Sequence, residues 1–229
     1  MTEGCLKRIS KVRWRLLGGL SRNPNAYLRQ ISGIIHIGAN TGQERELYAK
    51  HDLNVIWIEP IPEVFTRLKA NLRTYPHQRA LQYLVTDREG GSYEFHIANN
   101  DGLSSSILEL GQHRDIWPDV KYERHITLKG TTLASIVERE GINLRNYDAL
   151  VMDTQGSELL VLKGAARVLS GFTYIKTEAA DFESYEGCAK LAEIEVFLHS
   201  HGFRAQHRNL FASRPGGGGY YDVIYKKSG

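Results

Sequence analysis

Cysteine is nearly missing from this chain, as are most features that mark a special environment. Cys5 and Cys188 are the only two in 229 residues. They form neither a metal-binding motif nor a disulfide framework. No apolar run approaches the roughly 20 residues needed to cross a bilayer. Residues 1–20 are basic but lack the apolar core and small-residue cleavage site of a secretory leader, so a cytoplasmic setting is expected. An excess of one charge is missing too. The 29 Lys and Arg against 26 Asp and Glu leave +3 at pH 7, which offers no general attraction for nucleic acid. No repeat is visible, and low complexity is confined to the four glycines at 216–219. What is present, 41% hydrophobic and 24% charged residues, suits a globular domain with a substantial core.

The one local concentration of charge lies at the start. Lys7, Arg8, Lys11, Arg13 and Arg15 are interleaved with Leu6, Ile9, Val12, Leu16 and Leu20, a partial helical stripe. Residues 1–30 are therefore read as a basic helical extension and residues 31–229 as one domain. The extension is expected to pack on the domain with its basic side in water. Weak contact with a membrane surface or an acidic partner is the alternative.

From residue 34 strand and helix alternate. Strands are expected at 34–37, 55–58, 81–85, 149–152, 172–177, 203–207 and 220–225, with helices at 43–50, after Pro62, at 133–140, in SELLVLKGAARVLSG up to Gly171, and at 191–201. SYEFHIA alternates at period 2 and reads as an antiparallel strand inside an irregular insert. The pattern predicts an α/β fold, a mostly parallel sheet covered by helices on both faces with an antiparallel final pair. Residues 216–219 then form a mobile connection between the last two strands.

In such sheets ligands bind beyond the carboxyl ends of the strands. The residues placed there are Gly38, Ala39, Asn40, Thr41 and Gly42, then Glu59 and Pro60, Thr86 and Asp87, Asp153 to Gly156 with Gln155 among them, and Glu178. Glu59 follows the glycine turn at the distance where an acid accepts from ribose hydroxyls. A dinucleotide fingerprint would also need glycines at 40 and 43, where Asn40 and Gln43 stand. A ligand with adenosine but no phosphate does not need them, and S-adenosylmethionine fits that profile. Asp87 is placed to accept from the adenine amino group. An NAD-linked oxidoreductase and a catalytically degenerate binding domain are the competing readings.

GANTGQE, WIEPIPEVFTRLKANL, NNDGLSSSIL, TTLASIVEREGI and above all LVMDTQGSELLVLKGA resemble the FkbM family of S-adenosylmethionine-dependent methyltransferases. The resemblance runs from about Ile34 to Phe203. It implies a class I (Rossmann-like) methyltransferase fold and methyl transfer to a hydroxyl of a sugar, glycan or secondary metabolite. By position it implies that Gly38, Asn40 and Gly42 form the cofactor turn, that Glu59 takes the ribose, and that Asp153 lies beside the methionine end and the substrate. His36 stands where an acidic residue is more usual, and is either a cofactor contact or a core histidine. Ser105, within the Ser104 to Ser106 run, is expected to line the site.

A hydroxyl acceptor needs a base as its oxygen is methylated. Asp153 is the first candidate, Glu178 the second, and His113 the third along with His125. Asp153, Glu178 and Asp181 could alternatively collect a divalent cation, although no tight ligand spacing supports one. The expected acceptor is a small molecule or glycan rather than nucleic acid, and a homo-oligomer is compatible with the sequence.

Overall fold

The computed structural model describes residues 23–229. The basic stripe at residues 6–20 lies outside the described residues. The first elements are β1 (Gly33–Ile37), α1 (Arg45–Lys50), β2 (Asn54–Ile58), α2 (Pro62–Asn71) and β3 (Gln78–Leu81). An insert follows, with β4 (Leu84–Val85), β5 (Ser92–Ala98) and β6 (Tyr122–Thr131). The second half holds α3 (Leu133–Arg139), β7 (Ala149–Met152), α4 (Glu158–Ala165), β8 (Tyr174–Ala180), α5 (Leu191–Ser200), β9 (Phe203–Ser213) and β10 (Gly219–Lys227).

Strands buried on both faces must be apolar at every position, and GIIHI, NVIWI and ALVM nearly are. They pair in parallel, Ile34 opposite both Val55 and Ala149. The resulting seven-stranded sheet has the order β3-β2-β1-β7-β8-β10-β9. β10 alone runs antiparallel to its neighbours, pairing with β8 and β9. Strand order reverses between β1 and β7, so the carboxyl ends of those strands flank the place where a ligand crevice opens.

The pleat sends alternate residues to opposite faces. Ile35, Ile37, Leu150, Met152 and Ile175 face α3, α4 and α5, meeting Ile136, Val161, Leu162 and Leu198. Ile34, Val55, Trp57 and Val151 face the other side, where Tyr48 of α1, Leu68 of α2 and the turn residues Tyr27 and Leu28 cover them. Each such fully buried aliphatic side chain contributes roughly 1.5–3 kcal/mol. Tyr27 and Leu28 belong to this core, so the packed body takes in part of the stretch assigned to the extension.

Two elements differ from the sequence reading. The expected third strand at 81–85 is two strands. β3 closes the main sheet beside β2, and after Gln82 and Tyr83 the chain enters β4, which pairs with β6 in a separate three-stranded sheet. Apolarity marks both pieces alike and does not reveal the change of partner. The helix after β7 stops at Ala165, and Leu169–Gly171 is a short 3-10 turn. The small sheet packs on α2 through Ile61, Val64, Leu84, Phe95 and Ile97, and so overhangs the carboxyl ends of β1 and β2. Residues 216–219 close the β9–β10 hairpin. There Arg214 Nε donates to the Gly217 carbonyl at 2.8 Å and the Arg214 guanidinium lies 5.1 Å from the centre of the Phe182 ring.

Candidate active site

The loops following β1, β2 and β7 meet the small sheet around a cleft of about 940 Å³, part of it open to solvent. The turn after β1 is fixed by steric need. Gly38 has φ +78°, and a Cβ there would stand 1.8 Å from the carbonyl oxygen of Asp153. Only a glycine lets the tips of β1 and β7 close on one another. Gly42, at φ +73°, is similarly pressed against Leu68 and shapes the turn without lining the cleft.

Every backbone N–H from residue 38 to 42 is used inside the protein. Gly38 and Ala39 donate to the Ile58 carbonyl at 3.0 and 3.1 Å, and Gly42 donates to Ala39 at 2.9 Å. Asn40 N–H donates to Glu59 Oε2 and Thr41 N–H to Asn40 Oδ1, both at 2.8 Å. A phosphate cradle needs such groups unpaired and facing the ligand. This turn has none to offer a pyrophosphate.

Glu59 follows the last residue of β2 and is buried. Its Oε2 takes the Asn40 N–H, and its Oε1 takes the Ile61 N–H at 2.9 Å. Burial pushes its carboxyl up to about 7, against the pull of those two N–H groups. Each oxygen keeps a lone pair for a ligand hydroxyl. Pro60 and Ile61 continue the wall, joined by Tyr83, Leu84, Val85 and Phe95 to make an apolar slot.

Asp153 follows β7 at the opposite end of the cleft. Burial pushes its carboxyl up to about 7, while a hydrogen bond from Gln155 Nε2 at 2.5 Å acts in the other direction. Gln155 has φ +53° and is held in turn by Tyr185, whose hydroxyl donates to Gln155 Oε1 at 2.5 Å. Buried Glu158 fixes the loop by accepting from Thr154 N–H at 2.9 Å and from Gly156 N–H at 3.1 Å. Glu178 lies within β8, not after it. Thr177 pairs with Met152, which puts Glu178 beside Asp153. It lines a small neighbouring cavity with Gln155, Tyr185 and Tyr220 rather than the main cleft. Burial first, and then the Asp153 charge, hold its carboxyl well above the ordinary range.

The insert brings Ser105 to the cleft, where its hydroxyl accepts from Ala98 N–H at 3.0 Å, with Gly102 and Leu103 alongside. His113 is not at the cleft. It is buried, with Nε2 3.2 Å from Ser104 Oγ and Nδ1 2.7 Å from the Tyr220 hydroxyl, and burial lowers its pKa to about 4. It therefore pins the insert to β10. His125 lies on β6, mostly exposed beside Glu94. Asp87 also stays away from the cleft, within reach of the Tyr93 hydroxyl at 3.4 Å. Because β3 ends at Leu81, it is Tyr83 to Val85 that reach the cleft. Asp181 accepts from Gly219 N–H at 2.8 Å and from the Tyr221 hydroxyl at 3.2 Å, away from Asp153. Among the described residues no three His, Cys, Asp or Glu side chains are arranged to hold a metal.

His36 is buried behind the turn. Its ring stacks on Trp57 at 4.8 Å, the Tyr48 hydroxyl lies 3.3 Å from Nδ1, and burial lowers its pKa to about 4. It is a neutral core histidine whose edge reaches the cleft wall. Sequence reasoning passed over Gln43, Glu44, Tyr83 and Phe95, all of which line the cleft. For the first two a signal existed, since the first turn of a helix after such a glycine turn faces the same crevice.

The donor set fits S-adenosylmethionine. Three acids, Glu44, Glu59 and Asp153, line the cleft, and among the described residues no lysine or arginine does. An acidic cleft with an apolar slot and no anion cradle suits a cationic adenosine ligand. Strand order, cleft position and this lining define a class I S-adenosylmethionine-dependent methyltransferase. More narrowly, residues 36–205 match the Methyltransferase FkbM domain, and the chain belongs to that family.

The chain is 30% identical over 181 residues to the 2-O-methyltransferase NoeI of Sinorhizobium fredii, covering 76% of this chain and 73% of that one. Its fold is similar to that of TrmK of M. capricolum, solved with S-adenosyl-homocysteine. The TM-score there is 0.51 at 10% identity, over 91% of this chain and 69% of the other. Family membership sets the chain among methyltransferases rather than NAD-linked oxidoreductases.

Proposed function

We propose that this methyltransferase acts on oxygen, methylating a hydroxyl of a sugar, glycan or related small molecule, with Asp153 as the base. The observation that carries the reading is a buried carboxyl at the cleft end of β7, its pKa raised to about 7. A base is most effective when its pKa lies near the working pH, because it is then ionised and still able to take a proton. The likeness to a 2-O-methyltransferase supports oxygen over nitrogen.

In this reading Glu59 and the turn at Gly38, Ala39 and Asn40 hold the adenosine end, with Pro60 and Ser105 lining its slot. When bound, S-adenosylmethionine supplies a methyl carbon already activated by its sulfonium. Asp153 accepts the proton of the acceptor hydroxyl as its oxygen is methylated. Gln155, locked by Tyr185, orients that carboxylate. Glu178 stays beside Asp153, where burial and then the Asp153 charge oppose its ionisation.

The test is a methyl-transfer screen over monosaccharides, oligosaccharides, glycolipids and polyketide alcohols with isotopically labelled S-adenosylmethionine. Product linkage is read by mass spectrometry and NMR. A methyl ether on a hydroxyl is expected. Transfer to nitrogen or carbon would overturn the oxygen assignment. Cofactor binding without transfer to any class would favour the degenerate binding domain.

A further inference from the structure

S-Adenosylmethionine carries two positive charges, on the sulfonium and the ammonium, and one carboxylate. The cleft has three acids to meet them. Glu59 has its oxygens set by two backbone N–H groups at the adenosine end, and Asp153 stands at the acceptor end. Glu44 is the third, and the fold gives it no evident work. Its carboxylate makes no hydrogen bond or ion pair with any of the described residues.

Glu44 caps α1 one turn before Tyr48, whose N–H donates to the Glu44 carbonyl at 2.9 Å. Residues four apart share a helix face, and the Tyr48 hydroxyl reaches His36. Glu44 and His36 line the same cleft. Its charge is felt at both His36 and Asp153. The strand position itself cannot supply a charge, because the buried His36 ring is stacked on Trp57 with Tyr48 beside it.

We infer that Glu44 is the anionic partner of the cofactor's ammonium group, doing from the first turn of α1 what His36 cannot do from β1. This rests on S-adenosylmethionine being the occupant of the cleft. A carboxylate at a helix start also favours the helix dipole. That role would change stability alone and would not sense which ligand is bound.

The test is a cycle read by calorimetry on the full chain. Wild type and Glu44→Gln are each titrated with S-adenosylhomocysteine and with its deaminated analogue, which lacks only the amino group. Wild type should prefer the aminated ligand by about tenfold, an ordinary gain for one partly desolvated ion pair. Glu44→Gln should bind the two alike, whatever small change in melting temperature the lost dipole contact brings. A preference retained in the variant, or absent from wild type, overturns the assignment. Wild type binding neither ligand would overturn the cofactor itself, a separate result.

Discussion

The two ends of the cleft each carry a buried carboxyl raised to about 7, yet they are built in different ways. Glu59 is gripped by backbone, one N–H on each oxygen. Asp153 is held by a single side chain, Gln155, which leans on Tyr185. Backbone donors fix an acceptor geometry that hardly moves, which suits binding. A side-chain relay leaves one carboxylate oxygen uncommitted, which suits a group that must gain and lose a proton. The two carboxyls share an environment, and the difference lies in what holds their oxygens.

The sharpest way to break this contrast is Asp153→Asn. We expect kcat to fall about 10²–10⁴-fold, the usual worth of a positioned base, with cofactor affinity kept within a fewfold. Equal losses in both would erase the distinction. In wild type, kcat/KM should fall as pH drops below about 7, where the Asp153 carboxyl becomes protonated. The variant's residual rate should lose that limb.

Glu59→Gln probes the other end. An amide offers one acceptor oxygen where two N–H groups wait, so a buried donor is left unpaired. Cofactor dissociation constants should rise about 10–100-fold by calorimetry, with kcat at saturating cofactor nearly unchanged. A collapse of kcat there would show that the two ends are not separable.

Stability gives a smaller effect with a definite sign. A carboxyl whose folded pKa is raised contributes stability that is fully present below its unfolded value, near 4, and lost as pH rises through its folded value, near 7. Asp153→Asn removes that loss. The variant should exceed wild type by about 1–3 kcal/mol at pH 8 and match it near pH 4 in denaturant titrations. Smallest of all, Tyr185→Phe frees Gln155 from its anchor. It should raise the acceptor KM severalfold while cofactor affinity holds.

Much of this architecture is legible in the chain itself. The β1, β2 and β7 segments are unbroken apolar runs, and a strand buried on both faces can be nothing else. The acids that follow them, Glu59 and Asp153, are placed by that fact alone. The lost detail depends on pairing across the sequence. Asp87 falls beside the adenine only when residues 81–85 read as one strand, and the change of sheet at Tyr83 puts Tyr83, Leu84 and Val85 at the cleft instead. Glu178 reads in the sequence as the residue after its strand. Pairing with β10 extends β8 to Ala180 and leaves Glu178 behind Gln155. His113 finds its partners at Ser104 and Tyr220, the latter 107 positions away, a contact that no local pattern announces.

The seam where Gly38 meets the Asp153 carbonyl has a meaning for how this chain can change. A charge at the rim acts across space, and several positions overlook the same pocket. The seam admits no such latitude, because one added methyl would stand 1.8 Å from the oxygen of the neighbouring strand. Glycine and alanine codons are one nucleotide apart. A single such step would part the two strand tips, and with them the turn at Asn40 and the carboxyl of Asp153. Inheritance of the whole cleft thus hangs on one missing carbon.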